Sequence, residues 1–312
     1  MKDITANQDN INKQDETSRW FSGIAYEVAF WNNVYRWNHT FQGMMGWSHY
    51  GSPIQLECFD ANAFLLSRPE PTVLDVGCGM SYATGNLLLK DGTVSPLCIH
   101  YVDPLAPYFN RILKRHKRDL PPITFGMAEY LSAFFPTGTA DLVIIQNALD
   151  HSAQPLKGII EALDVLKPGG VLYLNHHPNE AVTEHYKGFH QFNINEEDGR
   201  LIIWSREQRI CVDELLEQFA DVSTCRHENG HVVSVITKRA TVPPELLTDK
   251  ADKQQLCTTL MEATQHRADI LGAIRYKLSY WKYNTIQFVA QALPWELKMK
   301  VKKLIHQTPD AS

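Results

Sequence analysis

Apolar positions in the middle of this chain fall into short runs that alternate with helix-spaced sets. Pro71 to Val76 is a short β-branched run that ends at Gly77, and a helix is expected after it, through about Lys90. Leu97 to Val102 is a second run, ending at Asp103, with a helix expected from about Pro107 to His116. Ile123 to Phe125 reads as a third strand and Ala140 to Gln146 as a fourth, followed by a helix from about Gln154 to Leu166. Gly170 to Asn175 is a fifth, entered through the turn Lys167, Pro168, Gly169. Apolar strands separated by helices imply an α/β fold whose parallel sheet is covered on both faces. A helix at 212–219 and strands near 221–227 and 231–238 would complete the sheet, after a polar and aromatic insertion at 177–206.

The flanks are patterned differently. Residues 1–18 are polar, lack periodic apolar positions and are expected to be disordered. Between Trp20 and Tyr50 the chain is crowded with aromatic residues. Ile24, Val28, Trp31 and Tyr35 recur at helical spacing, which predicts a helix over 23–37, a loop at 43–51 and a second helix at 54–66. The expected organisation is an N-terminal helical lid at 19–70, the α/β domain at 71–240 and, past Pro243 and Pro244, a helical extension at 241–312.

Composition narrows the setting. The six cysteines include no Cys-x-x-Cys pair, which argues against structural zinc and a disulfide framework and fits a reducing compartment. The polar N-terminus has no apolar core of signal-peptide length, and no stretch approaches the roughly 20 apolar residues of a membrane span, so a cytoplasmic protein is expected. A net charge of −5 gives no global attraction to nucleic acid. The tail is the local exception, with seven Lys or Arg between Arg275 and Lys303 against Glu296 as the one acid. Together with Trp281 and Trp295 it allows peripheral contact with an anionic membrane surface, although a solvated helix face is the commoner outcome for such a charge run. Oligomeric state is not legible.

Chemistry begins at the strand end Asp75, Val76, Gly77, Cys78, Gly79. Glycine there lets the backbone turn tightly and approach a ligand closely. The dinucleotide fingerprint requires glycine where Tyr82 stands, and Asp75 would repel a pyrophosphate while suiting a ligand ammonium. Asp103, at the end of the second strand, can accept both hydroxyls of a ribose.

Residues 71–176 resemble class I S-adenosylmethionine-dependent methyltransferases in five ordered places. Val73 to Gly79 resembles the first motif, and Val102, Asp103, Pro104 the ribose-binding acid. Gly126 to Tyr130 resembles the adenine-binding segment, Ala140 to His151 the fourth strand with its substrate-facing end, and Val165 to Gly170 the entry to the fifth. Two positions depart from the pattern: Ser81 replaces a glycine, and Met127 an aspartate. The resemblance implies a Rossmann-like methyltransferase fold with a mostly parallel seven-stranded sheet and S-adenosyl-L-methionine as cofactor. Its binding residues would be Asp75, Gly77, Cys78, Gly79, Asp103, Pro104, Met127, Ala128, Glu129, Gln146 and Asn147.

The sulfonium already activates the methyl group, so the protein must align the acceptor and, for a hydroxyl, remove its proton. Asp150 and His151 after the fourth strand, His176 at the end of the fifth, and His190 in the insertion are the candidate catalytic groups, with a histidine as general base. A metal held by Asp150, His151, His176 and His190 is the competing idea, but no close-spaced ligand motif supports it and none is expected. The insertion resembles methyltransferases encoded with bacterial surface-polysaccharide enzymes, of O-antigen or capsule, which implies a sugar hydroxyl as acceptor. Trp47, His177, Phe189, Gln191, Asn193 and Trp204 are the candidate acceptor-binding residues, the aromatic ones stacking on a pyranose. The alternative acceptor is a small lipid, quinol or aromatic metabolite. Nucleic-acid methylation is disfavoured, because Gln146 to Asp150 stands where an Asn-Pro-Pro-Tyr-type sequence would serve base amines. A non-enzymatic binding module is disfavoured by the intact Asp75, Gly77, Gly79 and Asp103.

Overall fold

A computed structural model of the chain describes residues 23–47, 50–186, 189–247, 258, 261–265, 270–293 and 297. The segment 1–18 and most of the basic tail beyond 293, including Trp295, lie outside the described residues, as does the side chain of Trp47.

Twelve strands occur among the described residues: β1 (Thr72–Val76), β2 (Leu87–Leu88), β3 (Val94–Ser95), β4 (Cys98–Asp103), β5 (Thr124–Phe125), β6 (Ala140–Gln146), β7 (Leu166–His176), β8 (Asn193–Glu197), β9 (Arg200–Trp204), β10 (Arg209–Cys211), β11 (Ala220–Arg226) and β12 (Val232–Lys238). Seven of them form one sheet in the order β11-β12-β7-β6-β1-β4-β5. The strands from β5 to β7 run parallel, and β12 enters antiparallel between β7 and β11. This is the Rossmann-like methyltransferase order. Strand order reverses about β1, so connections leave β1 and β6 in opposite directions and open a crevice at their carboxyl ends.

Strand β6 shows why these sequences make a sheet covered on both sides. Val143 and Ile145 point into a core shared with Ile159 and Leu163 of the helix Pro155–Val165. Leu142 and Ile144 point into a second core with Ile54, Leu65 and Val233. All four β6 side chains are buried, each worth about 1.5–3 kcal/mol relative to exposure.

Most expected elements form within a few residues of their predicted bounds. The helices are Ala106–Arg115, Pro155–Val165 and Val212–Leu216. In the N-terminal segment a helix covers 23–36 and another, Asn38–Trp47, runs into the stretch 43–51 expected as a loop. The helix expected at 54–66 shrinks to Ala61–Leu66, started by Asp60, whose Oδ1 accepts from the Ala63 N–H at 2.9 Å. The helix expected through Lys90 does not form. Instead the chain runs extended from Ala83 and closes the hairpin β2–β3. Tertiary contacts hold it open: Asn86 bridges Pro53 in parallel, and the Thr84 hydroxyl donates to Asp75 Oδ2 at 2.8 Å. A Cβ on Gly85 would lie 2.6 Å from the Ile54 backbone. The insertion is likewise ordered, as a three-stranded antiparallel sheet β10-β9-β8 whose turn places Asp198 and Gly199 at positive φ.

Candidate active site

The carboxyl ends of β1, β4 and β6 surround a cavity of about 330 Å³. Its floor is the glycine loop. Gly79 has φ +54°, and a Cβ there would sit 2.7 Å from the Trp31 ring; Gly77 has φ +67°, and a Cβ there would sit 2.4 Å from Ala148 Cβ. Both positions therefore need glycine for backbone conformation and for space. Of the sequence-predicted cofactor residues, Gly77, Cys78, Gly79, Asp103, Pro104, Met127, Ala128, Glu129, Gln146 and Asn147 line the cavity.

Asp75 does not line it. Its carboxylate is buried beneath the loop on the Thr84 hydroxyl, and burial raises its pKa to about 6 against that bond. Its side chain is bonded to Thr84 and lies outside the cavity lining. Asp103 does line it. One oxygen accepts from the Gly79 N–H at 3.0 Å and the other from the Leu105 N–H at 2.7 Å. Burial still outweighs these bonds and raises its pKa to about 7. A carboxylate has about four acceptor positions, so capacity remains for a ribose. Glu129 accepts from the Ala153 N–H at 2.9 Å and is shifted upward by burial.

Sequence reasoning missed part of this wall. Glu27, Trp31 and Phe109 line the cavity, and the Trp31 indole donates to Glu27 at 2.9 Å. The helical spacing that contains Trp31 was the available signal, but periodicity reports a buried face without saying what lies against it.

Beside this cavity the fold gathers a histidine cluster around Asp150. Asp150 follows β6 in the short 3-10 turn Leu149–His151, and β7 ends at His176. His190 Nδ1 lies 2.9 Å from Asp150 Oδ2, His151 Nε2 lies 3.5 Å from the same oxygen, and His176 Nδ1 lies 4.0 Å from Oδ1. Burial opposes ionisation of Asp150, yet His151, His190 and His176 together outweigh it and hold the carboxyl well below its usual range. For His190, burial disfavours the cation, but the bond to Asp150 and its charge win and raise the pKa. His176 is the opposite case, because burial dominates and lowers it to about 4.

These environments divide the three roles. His151 lines the cavity, with its ring against Phe189 at 5.6 Å and His190 at 4.4 Å. His190 holds its proton toward Asp150. His176 is 1% exposed, and neither ring nitrogen has a hydrogen-bond partner among the described residues, so it cannot touch an acceptor and lies beneath the cluster. That corrects its placement among the reacting groups. Asp150, His151 and His190 also bring one ligand atom each within 4.8 Å, a donor set that suits a divalent cation as well as a proton.

The candidate acceptor residues scatter. Phe189 lines the cavity. His177 turns away, stacked edge-on against His231 at 4.2 Å, while its N–H donates to Asn147. Gln191 donates to the Tyr186 carbonyl. Asn193 is fully buried, accepting from the Val182 N–H and donating to the Tyr186 hydroxyl, so it supports the insertion and cannot meet a sugar. Trp204 is half-buried at the end of β9, paired with Asn193 and Arg209, and away from the cavity. The insertion's own packing claims both residues.

Residues 74–174, about a third of the chain, match the family model described as a methyltransferase domain. No curated protein matches the chain. Among solved structures, the chain is similar to a Thermus thermophilus 16S rRNA N2 G1207 methyltransferase in complex with AdoMet and guanosine: 16% identity, TM-score 0.34, covering 62% of this chain and 43% of that one. It is similar to a putative S-adenosylmethionine-dependent methyltransferase from Listeria monocytogenes at 15% identity and TM-score 0.35, covering 57% and 97%. A Thermotoga maritima protein, described as a possible histamine N-methyltransferase, is similar at 16% identity and TM-score 0.36, covering 68% and 100%.

Proposed function

We propose that this chain, an S-adenosylmethionine-dependent methyltransferase with its methyltransferase domain at 74–174, transfers the methyl group to a hydroxyl, most simply that of a sugar in a cell-surface glycan or its precursor. The observation that carries this reading is His151, facing the cavity and backed by the buried Asp150. A hydroxyl is a poor nucleophile until its proton leaves, and a carboxylate-backed imidazole is the group that takes it.

In this reading the acceptor oxygen attacks the methyl carbon in line with sulfur. Bound S-adenosylmethionine would supply the activated methyl group and take up the bonding pair as it is released, and the hydroxyl proton would pass to His151. With Nε2 toward Asp150, Nδ1 is the atom that receives it. Asp150 then balances the imidazolium. The protein's further contribution is alignment of acceptor and donor. Glu27 and Trp31 of the helix at 23–36 close the donor side, which fits a lid role for the N-terminal segment.

Support for a sugar comes from Phe189, an apolar ring beside His151 suited to the face of a pyranose, and from the insertion's resemblance in sequence to methyltransferases encoded with surface-polysaccharide enzymes. Screening acceptors with the purified enzyme tests it. Methylation of glycosides is expected; methylation of quinols or fatty acids, with glycosides inert, would transfer the site to an apolar metabolite.

The donor set around Asp150 supports a second mechanism, in which a divalent cation lowers the acceptor's pKa. Exhaustive chelation separates the two: unchanged turnover leaves the histidine base, and loss restored by added cation replaces it.

A further inference from the structure

The helix Ile270–Ala292 has two unlike sides. One side is joined to the body: the Tyr276 ring lies 5.1 Å from Tyr108, and Asn284 Oδ1 accepts from the side chains of Asn32 and Asn33 at 3.0 Å each. At about 100° per residue, the opposite side is formed by Leu271, Ile274, Leu278, Trp281 and Val289. These five are 65%, 49%, 66%, 71% and 50% exposed, a row of large apolar side chains left in water for about 27 Å. Such a row costs solubility unless something covers it.

The surrounding charge says what kind of surface that is. Arg275, Lys277 and Lys282 are exposed around the row, and no Asp or Glu occurs between 270 and 295. The whole chain has net charge −5, so this basic strip is local. Four lysines follow in the sequence between 298 and 303, continuing the same sign. No described helix is long and apolar enough to cross a membrane, so the helix cannot act as a span.

We propose that this outward face rests on an anionic lipid surface, the apolar row entering the acyl boundary and the cations meeting the headgroups. An apolar stripe bordered by Lys and Arg, with Trp at the boundary, is what an interfacial helix requires. A second copy of the same face would set like charges beside one another, which disfavours a symmetric pair. The lipid surface offers both an apolar layer and the opposite charge. Because the face points away from the body, docking through it leaves the cavity between β1, β4 and β6 unobstructed.

Co-sedimentation of the full chain with phosphatidylcholine vesicles, with and without phosphatidylglycerol, tests the proposal. Partition onto the phosphatidylglycerol vesicles is expected to exceed that onto phosphatidylcholine alone by on the order of 100-fold, since each cation at such a surface contributes about fivefold. The triple variant R275Q/K277Q/K282Q should lose that excess. L278S/W281S should lose partition onto both vesicle types while keeping the wild-type thermal midpoint and donor affinity by calorimetry, which shows that the fold survives. Equal partition with and without phosphatidylglycerol overturns the proposal, as does wild-type partition by L278S/W281S. Light scattering that finds a wild-type dimer, made monomeric by L278S/W281S, overturns it in favour of a second copy.

Discussion

Two buried aspartates flank β1, and the fold drives their acidities apart. Asp103, at the end of β4, meets two backbone N–H groups and is raised to about 7 by burial. Asp150, just after β6, is as deeply buried but meets three imidazoles, which hold it well below the ordinary range against that burial. The difference lies in the partners: N–H groups supply partial charges, and histidines can supply whole ones. Beside the glycine loop, Asp103 thus keeps acceptor capacity beyond its two N–H bonds. Around Asp150, imidazoles take the place that backbone N–H groups take around Asp103.

The largest break in that contrast should come at the proton-accepting side. His151→Gln is expected to lower kcat about 1,000-fold, within the range for loss of a general base, with donor affinity changed only a few-fold. Steady-state kinetics and calorimetry check this, and retained kcat would move the base elsewhere.

Next in size is a pH effect on stability from His176. Its pKa in the fold, about 4, lies below the free value of 6.5, so as pH falls below 6.5 the unfolded chain gains a proton that the fold refuses. Stability is lost across that window, by about 3 kcal/mol in total. Asp75 and Asp103 act oppositely: raised to about 6 and about 7 from 3.8, they favour the fold as pH falls through those values. The His176→Leu variant separates the two regions. Denaturant unfolding should show it gaining on the wild type as pH falls from 6.5 toward 4; a constant difference would remove His176 as the cause.

On the donor side, Asp103→Asn should weaken S-adenosylmethionine binding about 100-fold, the scale of one or two charged hydrogen bonds, with kcat at saturating donor little changed. Calorimetry and saturation kinetics read the two separately. The smallest expected effect is Gly79→Ala, which meets the Trp31 ring at 2.7 Å with φ at +54°. It should cost about 2 kcal/mol of stability, seen as a lower thermal midpoint.

The two regions were also unequally legible before folding. Val73 to Asp103 announces a donor loop because the chemistry is local: a strand, two glycines and an acid lie within one strand–loop–strand unit. The acceptor histidines were named as candidates, yet nothing local ranked them, since each imidazole's acidity depends on what the fold puts beside it. The same non-local rule explains the missing helix after Met80. The residues from Ala83 to Lys90 had a helical reading, but Pro53, Ile54 and Asp75 bind them in an extended path. Trp204 and Asn193 read as acceptor contacts because aromatic and amide groups suit a sugar; their pairing across β8 and β9 was not visible in composition.

By itself the sequence determined the alternation of strands and helices, the need for glycine at 77 and 79, and the acid that closes β4. Each of those rests on hydrophobic period or backbone sterics acting over a few residues. Tertiary structure alone decided that Asp150, His151 and His190 form one cluster, that His176 is sealed beneath it, and that Trp31 and Glu27 wall the cavity at the glycine loop. Those outcomes depend on sheet order and burial, which bring together side chains tens of residues apart and set their charge by what surrounds them.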